Sequence, residues 1–433
     1  MKLSVLDNIE DVTASQLCCG CGACAWAQGE ALEMVDDKVL GRRPMLRAGH
    51  AARETAGRAM AVCPGVALDH DHTPTAGAIP ELLPGWGPVL ELWEGYAADD
   101  ALRFAGSSGG GASALALACL EAQQFHGVHH IAQRTDIPIL NHTVMSTSRE
   151  QLLTRAGSRY APASPCDRLD QIENAPGPCV FIGKPCDVAA AQKARRLSDA
   201  LDRNLGLTVA IFCAGTPNLV GTMRLLERLG VHNWRDVATL RYRGEGWPGH
   251  MKATLQVTGR DRSDEITYAE GWDTILQKHR QWRCYICPDH TGEFADVAVG
   301  DPWYRDIGEG EAGSSLFVIR TQRGRERFHQ ALASGHIVAE QRDAAVLPAS
   351  QPDLLRTRGS LAGRLVTLRL SGAATPDFRG FARWRYWWSE LTWRQKMQSF
   401  FGTLKRVRRR RLRRRVEVRA WRPDEPILED AGS

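Results

Sequence analysis

Three cysteines spaced two residues apart, Cys18, Cys21 and Cys24 in the run CCGCGAC, restrict what the N-terminal end of this chain can fold around. The spacing C-x2-C-x2-C supplies three sulfurs from one tight loop, and Gly20 and Gly22 allow its turns. Thiolates converging in this way suit the corners of a 4Fe–4S cubane, and a further cysteine followed by proline completes such sets. Cys63, followed by Pro64, is the candidate fourth ligand, although it is remote in sequence. Zinc is the rival reading, but structural zinc favours two separated C-x2-C pairs. Cys19 stands next to Cys18 and reads as a free thiol beside the loop.

The chain holds twelve cysteines in 433 residues. Its first residues, MKLSVLDNIEDV, lack the basic start and apolar run of a secretory signal, and no stretch nears the ~18 apolar residues of a membrane span. The expected location is the cytoplasm, where thiols stay reduced and clustered cysteines point to metal or redox sites. A second pattern comprises Cys186 in GKPC, Cys213 in FCAG, and Cys284 with Cys287 in RCYIC. Together these four offer thiolates to a second cluster, whereas taken singly Cys186 and Cys213 read as small buried apolar residues. Cys119, Cys166 and Cys179 lie in helix-like or irregular apolar context and read as packing residues.

The signals strand, tight loop, helix recur in PCVFIGKPCDVAAAQKARR and in LTVAIFCAGTPNLVGTMRLLERLG, each with a cysteine at the strand's C-terminal end. Ligands of open α/β sheets collect at that end. ADVAVGD and SSLFVIRT read as further strands, and RGRERFHQALAS as a helix. The expected fold class is α/β (α+β): an N-terminal ferredoxin-like iron–sulfur segment over residues 1–75, then a mixed-sheet domain over 95–345. A proline-bearing linker over 75–94 joins them, and residues 346–433 form a C-terminal extension with an aromatic and polybasic tail.

A glycine loop, FAGSSGGGASALA, opens a helix. Free N–H groups at a helix start favour a phosphate, and glycine lets it approach, so Ser107, Ser108, Gly109 and Gly110 are candidate cofactor contacts. A flexible turn is the alternative, and Ser107 or Ser108 is the expected cap. Lys184 is a candidate phosphate or flavin partner. Asp301, at the end of a strand, is a candidate partner for a ribityl or ribose hydroxyl, or simply a turn aspartate before Pro302. Tyr160 and His250 are conceivable proton donors and read better as structural hydrogen-bond partners.

The net charge of +5 comes from one run: residues 405–415 hold nine basic residues and no acid, and without those nine charges the rest stands at −4. The body of the chain therefore gives no argument for a nucleic-acid-binding fold. Trp384, Trp387, Trp388, Trp393, Phe400 and Phe401 precede or flank the run. Tryptophans beside a polybasic stretch suit the headgroup region of an anionic membrane; nucleic-acid binding and a plain solvated tail are the alternatives.

Eight motifs in order resemble the coenzyme F420 hydrogenase/dehydrogenase beta-subunit family: CCGCGAC at 18–24, FAGSSGGGASALA at 104–116, AGSRYAP at 156–162, VFIGKPCDVAA at 180–190, IFCAG at 211–215, RYRGEGWPG at 241–249, CYIC at 284–287 and ADVAVGD at 295–301. The resemblance covers roughly residues 15–330. It implies FAD, at least one 4Fe–4S cluster, and coupling of one-electron transfer from a ferredoxin-like carrier to two-electron reduction of a small-molecule substrate or deazaflavin coenzyme, and it makes residues 95–345 the expected flavin-binding domain and holder of the second cluster. The eight cluster-compatible cysteines look like the two-cluster pattern of the 7-hydroxymethyl chlorophyll a reductase branch. An electron-transfer beta subunit without an organic substrate of its own is the alternative. The chain departs from the family in lacking a Cys-Pro soon after the triplet, so Cys63 has to stand in, and in its aromatic and basic tail.

Overall fold

The structure, a computed structural model, describes residues 5–70, 75–256, 263–306, 308 and 310–428. Its centre is an eight-stranded sheet of β3 (Glu91–Ala97), β4 (Gly127–Gln133), β5 (Asn141–Ser146), β6 (Cys179–Gly183), β7 (Leu205–Ile211), β8 (Val297–Gly300), β9 (Ser315–Ile319) and β10 (Ile337–Arg342), in the spatial order β10-β3-β9-β8-β7-β6-β4-β5. β8, β7, β6 and β4 run parallel, and the flanking pairs are antiparallel. The expected mixed sheet and α+β class are present.

The central strands are continuous apolar runs because both faces are covered. Alternation along each strand decides which face a side chain enters. Val180, Leu207, Val209, Val297, Val299, Phe317 and Ile319 share one core with helices α2 (Gly111–Glu121) and α5 (Gln322–Ala333). Phe181, Ala210, Ala298, Leu316 and Val318 share the other with α3 (Pro185–Ala194) and with Cys21, Ala23 and Val62 of the N-terminal segment. That segment contributes the short helix α1 (Ala23–Ala27) and the hairpin of β1 (Leu32–Asp37) with β2 (Gly41–Leu46), while α4 (Leu219–Arg228), which follows β7, belongs to a separate core.

Residues 75–94 do not behave as a free linker. Trp86 is 2% exposed, and the buried guanidinium of Arg320 donates to the carbonyls of Trp86 at 2.6 Å and Pro88 at 2.9 Å. Beyond the sheet, within the C-terminal extension, lie α6 (Leu354–Leu370), α7 (Arg383–Ser389) and α8 (Trp393–Arg409). The basic run is not a loose tail. Its first part closes α8, and the chain then returns across the N-terminal segment, where Val416 N–H donates to Ala14 O at 2.9 Å and Trp421 N–H to Asp36 O at 2.7 Å. Trp421 then meets Trp234 edge-on, with centroids 5.9 Å apart. Among the described residues no helix is long and apolar enough to cross a membrane.

Candidate iron–sulfur and flavin site

Cys18, Cys21 and Cys24 come from the loop leading into α1, and Cys63 comes from the turn after residues 58–61; all four are buried. They stand as mutual neighbours. The Cys24 thiol feels Cys18 and Cys63, the Cys21 thiol feels Cys24 and Cys63, and the Cys63 thiol feels Cys18. Burial, then these thiols, push Cys21 and Cys24 well above the ordinary cysteine value and Cys63 up to about 11. Two left-handed glycines make the loop: Gly20 at φ +74° and Gly22 at φ +90°. A Cβ on Gly22 would sit 2.7 Å from the backbone nitrogen of Asp167, and one on Gly20 would sit 2.7 Å from Arg42 O. The loop also turns the Gly20 N–H onto the Cys18 sulfur at 3.3 Å.

The second set assembles at the carboxyl ends of parallel strands. Cys186 lies in the first turn of α3, directly after β6, Cys213 follows β7, and Cys284 and Cys287 come from the turn over 282–287. Cys213 feels Cys284 and Cys186, and Cys287 feels Cys186 and Cys284. The Thr216 N–H donates to the Cys284 sulfur at 3.3 Å. Cys19 is not the detached thiol its position suggested. Its side chain is hydrogen-bonded to that of Cys186 and neighbours Cys21, so it stands between the two sets. Cys119, Cys166 and Cys179 are buried at 4%, 0% and 0% exposure, as packing residues should be.

Whether these residues fit an iron–sulfur group is tested by the charges around them. Arg283 is 3% exposed and donates to Pro64 O at 3.2 Å, beside Cys63, and to Ile286 O at 3.3 Å, beside Cys287. Its Nε has no acceptor, and no carboxylate pairs with it among the described residues. Burial alone would lower its pKa, but Cys19, Cys287, Cys186 and Cys284, as thiolates, outweigh burial and move it up. Lys193 is likewise turned inward, onto Cys63 O at 3.2 Å and Ala67 O at 2.9 Å. Buried cations without carboxylates are costly unless anions face them. Anionic thiolate clusters supply that charge, so the donor set fits. Among the described residues no three His, Cys, Asp or Glu side chains gather as a single-ion site.

The glycine loop departs from expectation in one respect. Neither Ser107 nor Ser108 caps α2; the cap position is Gly110, at φ +70°, and no side chain caps the helix. The packing explains this. Ser107 Oγ accepts from Ser158 N–H at 2.8 Å, Ser108 Oγ donates to Asp301 Oδ1 at 2.6 Å, and a Cβ on Gly109 would lie 2.6 Å from Gly313 O. The helix start is thereby left to its backbone N–H groups, which suits an anion.

Asp301 follows β8 and is saturated by protein donors. Arg243 reaches it with two bonds at 2.9 and 2.7 Å, Trp247 Nε1 at 2.8 Å, and Ser108 as above. It braces the glycine loop against the 243–247 segment and leaves few lone pairs for a ribityl hydroxyl. Trp247 stacks on Trp303 at 5.4 Å, and Trp303 on Tyr268 at 6.2 Å, forming an aromatic wall beside that brace. Lys184 pairs with Asp187 at 2.6 Å and feels Cys186 and Cys213, so its charge lies with the second cysteine set. Tyr160 packs among Tyr242, Tyr268 and Trp272, and His250 is exposed. His290 was not legible in the sequence. Burial holds its ring neutral, with a pKa of about 4, and its Nδ1 lies 2.8 Å from Cys213 O. Two cavities, of about 270 Å³ beside Phe378 and about 230 Å³ beside Leu102, are lined by neither the cysteines nor the glycine loop.

Two family models match the chain. Both describe the beta subunit of coenzyme F420 hydrogenase/dehydrogenase: its N-terminal part matches residues 92–169 and its C-terminal part matches 178–345. Together they span more than half of the chain, which therefore belongs to the coenzyme F420 hydrogenase/dehydrogenase beta-subunit family. Among solved structures, a chain of the xenon-derivatized F420-reducing [NiFe] hydrogenase complex from Methanosarcina barkeri is similar in fold. It is 18% identical, with a TM-score of 0.50, and the match covers 64% of this chain and 93% of that one. No curated protein matches the chain. Nothing in these likenesses singles out the chlorophyll-reductase branch.

Proposed function

We propose that this chain is an electron-transfer subunit of a hydrogenase- or dehydrogenase-type oxidoreductase. In this reading Cys18, Cys21, Cys24 and Cys63 hold one 4Fe–4S cluster, Cys186, Cys213, Cys284 and Cys287 hold a second, and the glycine loop at the start of α2 holds the phosphates of FAD. When bound, these groups supply single-electron transfer and its pairing into two-electron chemistry. The chain's own residues do the rest. Burial of the first set keeps water from its sulfurs, the N–H groups of Gly20 and Thr216 steady one sulfur in each set, and Arg283 offsets charge between the two sets. The observation that carries the reading is convergence. Eight cysteines from five separate stretches meet in two neighbouring sets, with a buried, carboxylate-free arginine touching the backbone of both.

A second reading is a free-standing reductase of a small-molecule substrate or deazaflavin coenzyme, fed by a ferredoxin-like carrier. The presence of two cysteine sets in one chain favours it, through the two-cluster branch that the motifs resemble. Anaerobic purification with cofactors quantified tests both readings at the shared point. The expected yield is about eight iron, about eight sulfide and about one flavin per chain. Zinc in place of iron removes both readings. Co-purifying subunits support the first, and turnover of an organic substrate by the isolated chain with reduced ferredoxin supports the second.

Ligand roles are separable by substitution. Cys63→Ser is expected to lower iron by about half, as is Cys284→Ser, whereas Cys19→Ser leaves iron content unchanged because Cys19 lies between the sets. Loss of iron in Cys19→Ser would instead make it a ligand.

A further inference from the structure

The six aromatic side chains around the basic run divide in the fold. Trp387 and Phe400 turn inward and meet at 6.2 Å, while Trp384, Trp388, Trp393 and Phe401 are 45%, 68%, 74% and 63% exposed. Large aromatics standing this far into water mark a surface that meets something apolar. The cations divide too. Arg406 and Arg410 lie over the Tyr285 ring, and Arg415 pairs with Asp11. Arg394, Lys405, Arg408 and Arg409 remain exposed and have no carboxylate partner among the described residues.

Helix geometry joins the two groups. Arg394, Gln398, Phe401, Lys405 and Arg408 follow one another at four- and three-residue steps, so they form one stripe along the 17-residue helix α8, and every one of them is exposed. The opposite face, with Ser399, Thr403 and Val407, is buried, and Ser399 lies so close to Gly363 of α6 that a Cβ there would collide with it. Trp393 opens the helix, and Trp388 sits beside it under the ammonium of Lys396 at 4.8 Å. From Leu391 to Val416 the chain has no acidic residue.

We propose that this face of α7 and α8 docks on an anionic lipid surface. The aromatics enter the headgroup layer and the cations bind its phosphates. The helix is seated on α6 by its other face, so it lies along the membrane, and its 17 residues with this charge cannot span one. The protruding tryptophans and Phe401 favour lipid over a nucleic-acid duplex, whose phosphates are met by cations without apolar side chains.

Flotation of the full-length holoprotein with vesicles tests this. Wild type is expected to float with phosphatidylglycerol/phosphatidylcholine vesicles and not with phosphatidylcholine alone. Replacing Arg394, Lys405 and Arg408 by Gln is expected to weaken binding about fivefold per cation removed. Replacing Trp388, Trp393 and Phe401 by Ser is expected to abolish the binding that survives high salt. All six positions are exposed, and an unchanged melting temperature and flavin content check that the variants are folded. The proposal is overturned if wild type fails to float with anionic vesicles, or if the aromatic variant floats as wild type does. Binding of an RNA duplex in preference to vesicles, unaffected by the aromatic changes, also overturns it.

Discussion

Arg283→Met is expected to destabilise the iron-loaded protein by roughly 3 kcal/mol or more while leaving the metal-free chain within about 1 kcal/mol of wild type. The asymmetry follows from what surrounds the guanidinium. It is 3% exposed, lacks a carboxylate partner among the described residues, and has an Nε without an acceptor. In the metal-free chain the facing cysteines are neutral thiols, because burial raises Cys213 and Cys287, and Cys19 with burial raises Cys186, far above the ordinary value. The arginine is then a buried charge with no counter-charge. Losing it removes that penalty, together with two carbonyl hydrogen bonds, at Pro64 and Ile286, and a contact over the Phe378 ring at 4.9 Å. The two changes nearly cancel. With the proposed clusters bound, the same guanidinium would face thiolates, and removing it would leave their charge buried and unpaired. Anaerobic melts of wild type and Arg283→Met, with and without a chelator, read both terms. Equal losses in the two states would make Arg283 an ordinary backbone anchor and remove the charge argument for the clusters. Arg283→Lys keeps the charge and should retain most of the loaded stability.

The contrast between what the chain's letters reveal and what they hide is clearest among the cysteines. The C-x2-C-x2-C run, the Cys-Pro at 63 and the strand-end positions of Cys186 and Cys213 are local signals, and local signals survive in a sequence. Cys19 is different: it follows Cys18 directly, yet Cys18 neighbours Cys24 and Cys63 while Cys19 is hydrogen-bonded to Cys186, a partner remote in sequence. Arg283 has no local signal of its role, because only the fold brings Pro64 beside it. Helix α6 was hidden for another reason. Gly359 and Gly363 interrupt its pattern and weaken its propensity, yet both are needed for close packing, against Tyr386 O and Ser399 respectively. Tertiary packing decides that helix. The caps expected at Ser107 and Ser108 failed because both hydroxyls are taken by distant partners, Ser158 and Asp301, that local sequence cannot see. Spacing likewise shows that tryptophans cluster at 384–393, and only packing sorts Trp387 into the core and Trp388 into water.

Arg358→Leu is expected to cost about 3–5 kcal/mol and to loosen the second cysteine set. Arg358 and Glu293 pair in the interior, with side chains 2% and 0% exposed, and Arg358 also donates to Pro288 O at 3.3 Å, directly after Cys287. Glu293 closes a turn in which Asp289 accepts from the N–H groups of Thr291, Gly292 and Glu293 at 3.0, 2.7 and 2.9 Å. Through this pair α6 grips the segment that carries Cys284 and Cys287. Removing the cation leaves Glu293 buried without its main counter-charge, so iron content should fall along with the melting temperature. Glu293→Gln placed on Arg358→Leu should recover at least half of the loss, because it removes the stranded charge rather than restoring the contact. The pH dependence has opposite signs in the two proteins. In wild type, burial would raise the Glu293 carboxyl, but Arg358, with help from His70 and Arg320, outweighs burial and holds it below its usual value. A depressed carboxyl adds stability above its unfolded value of about 4.3 and loses it as pH falls through the folded value. In Arg358→Leu burial prevails and the carboxyl rises, so that variant loses stability as pH climbs above about 4.3. The gap between the two proteins should therefore narrow on acidification from pH 7 toward about 4.3, and a gap that stays constant, or a loss below about 1 kcal/mol at neutral pH, would show that the pair does not hold α6 to the cysteine-bearing turn.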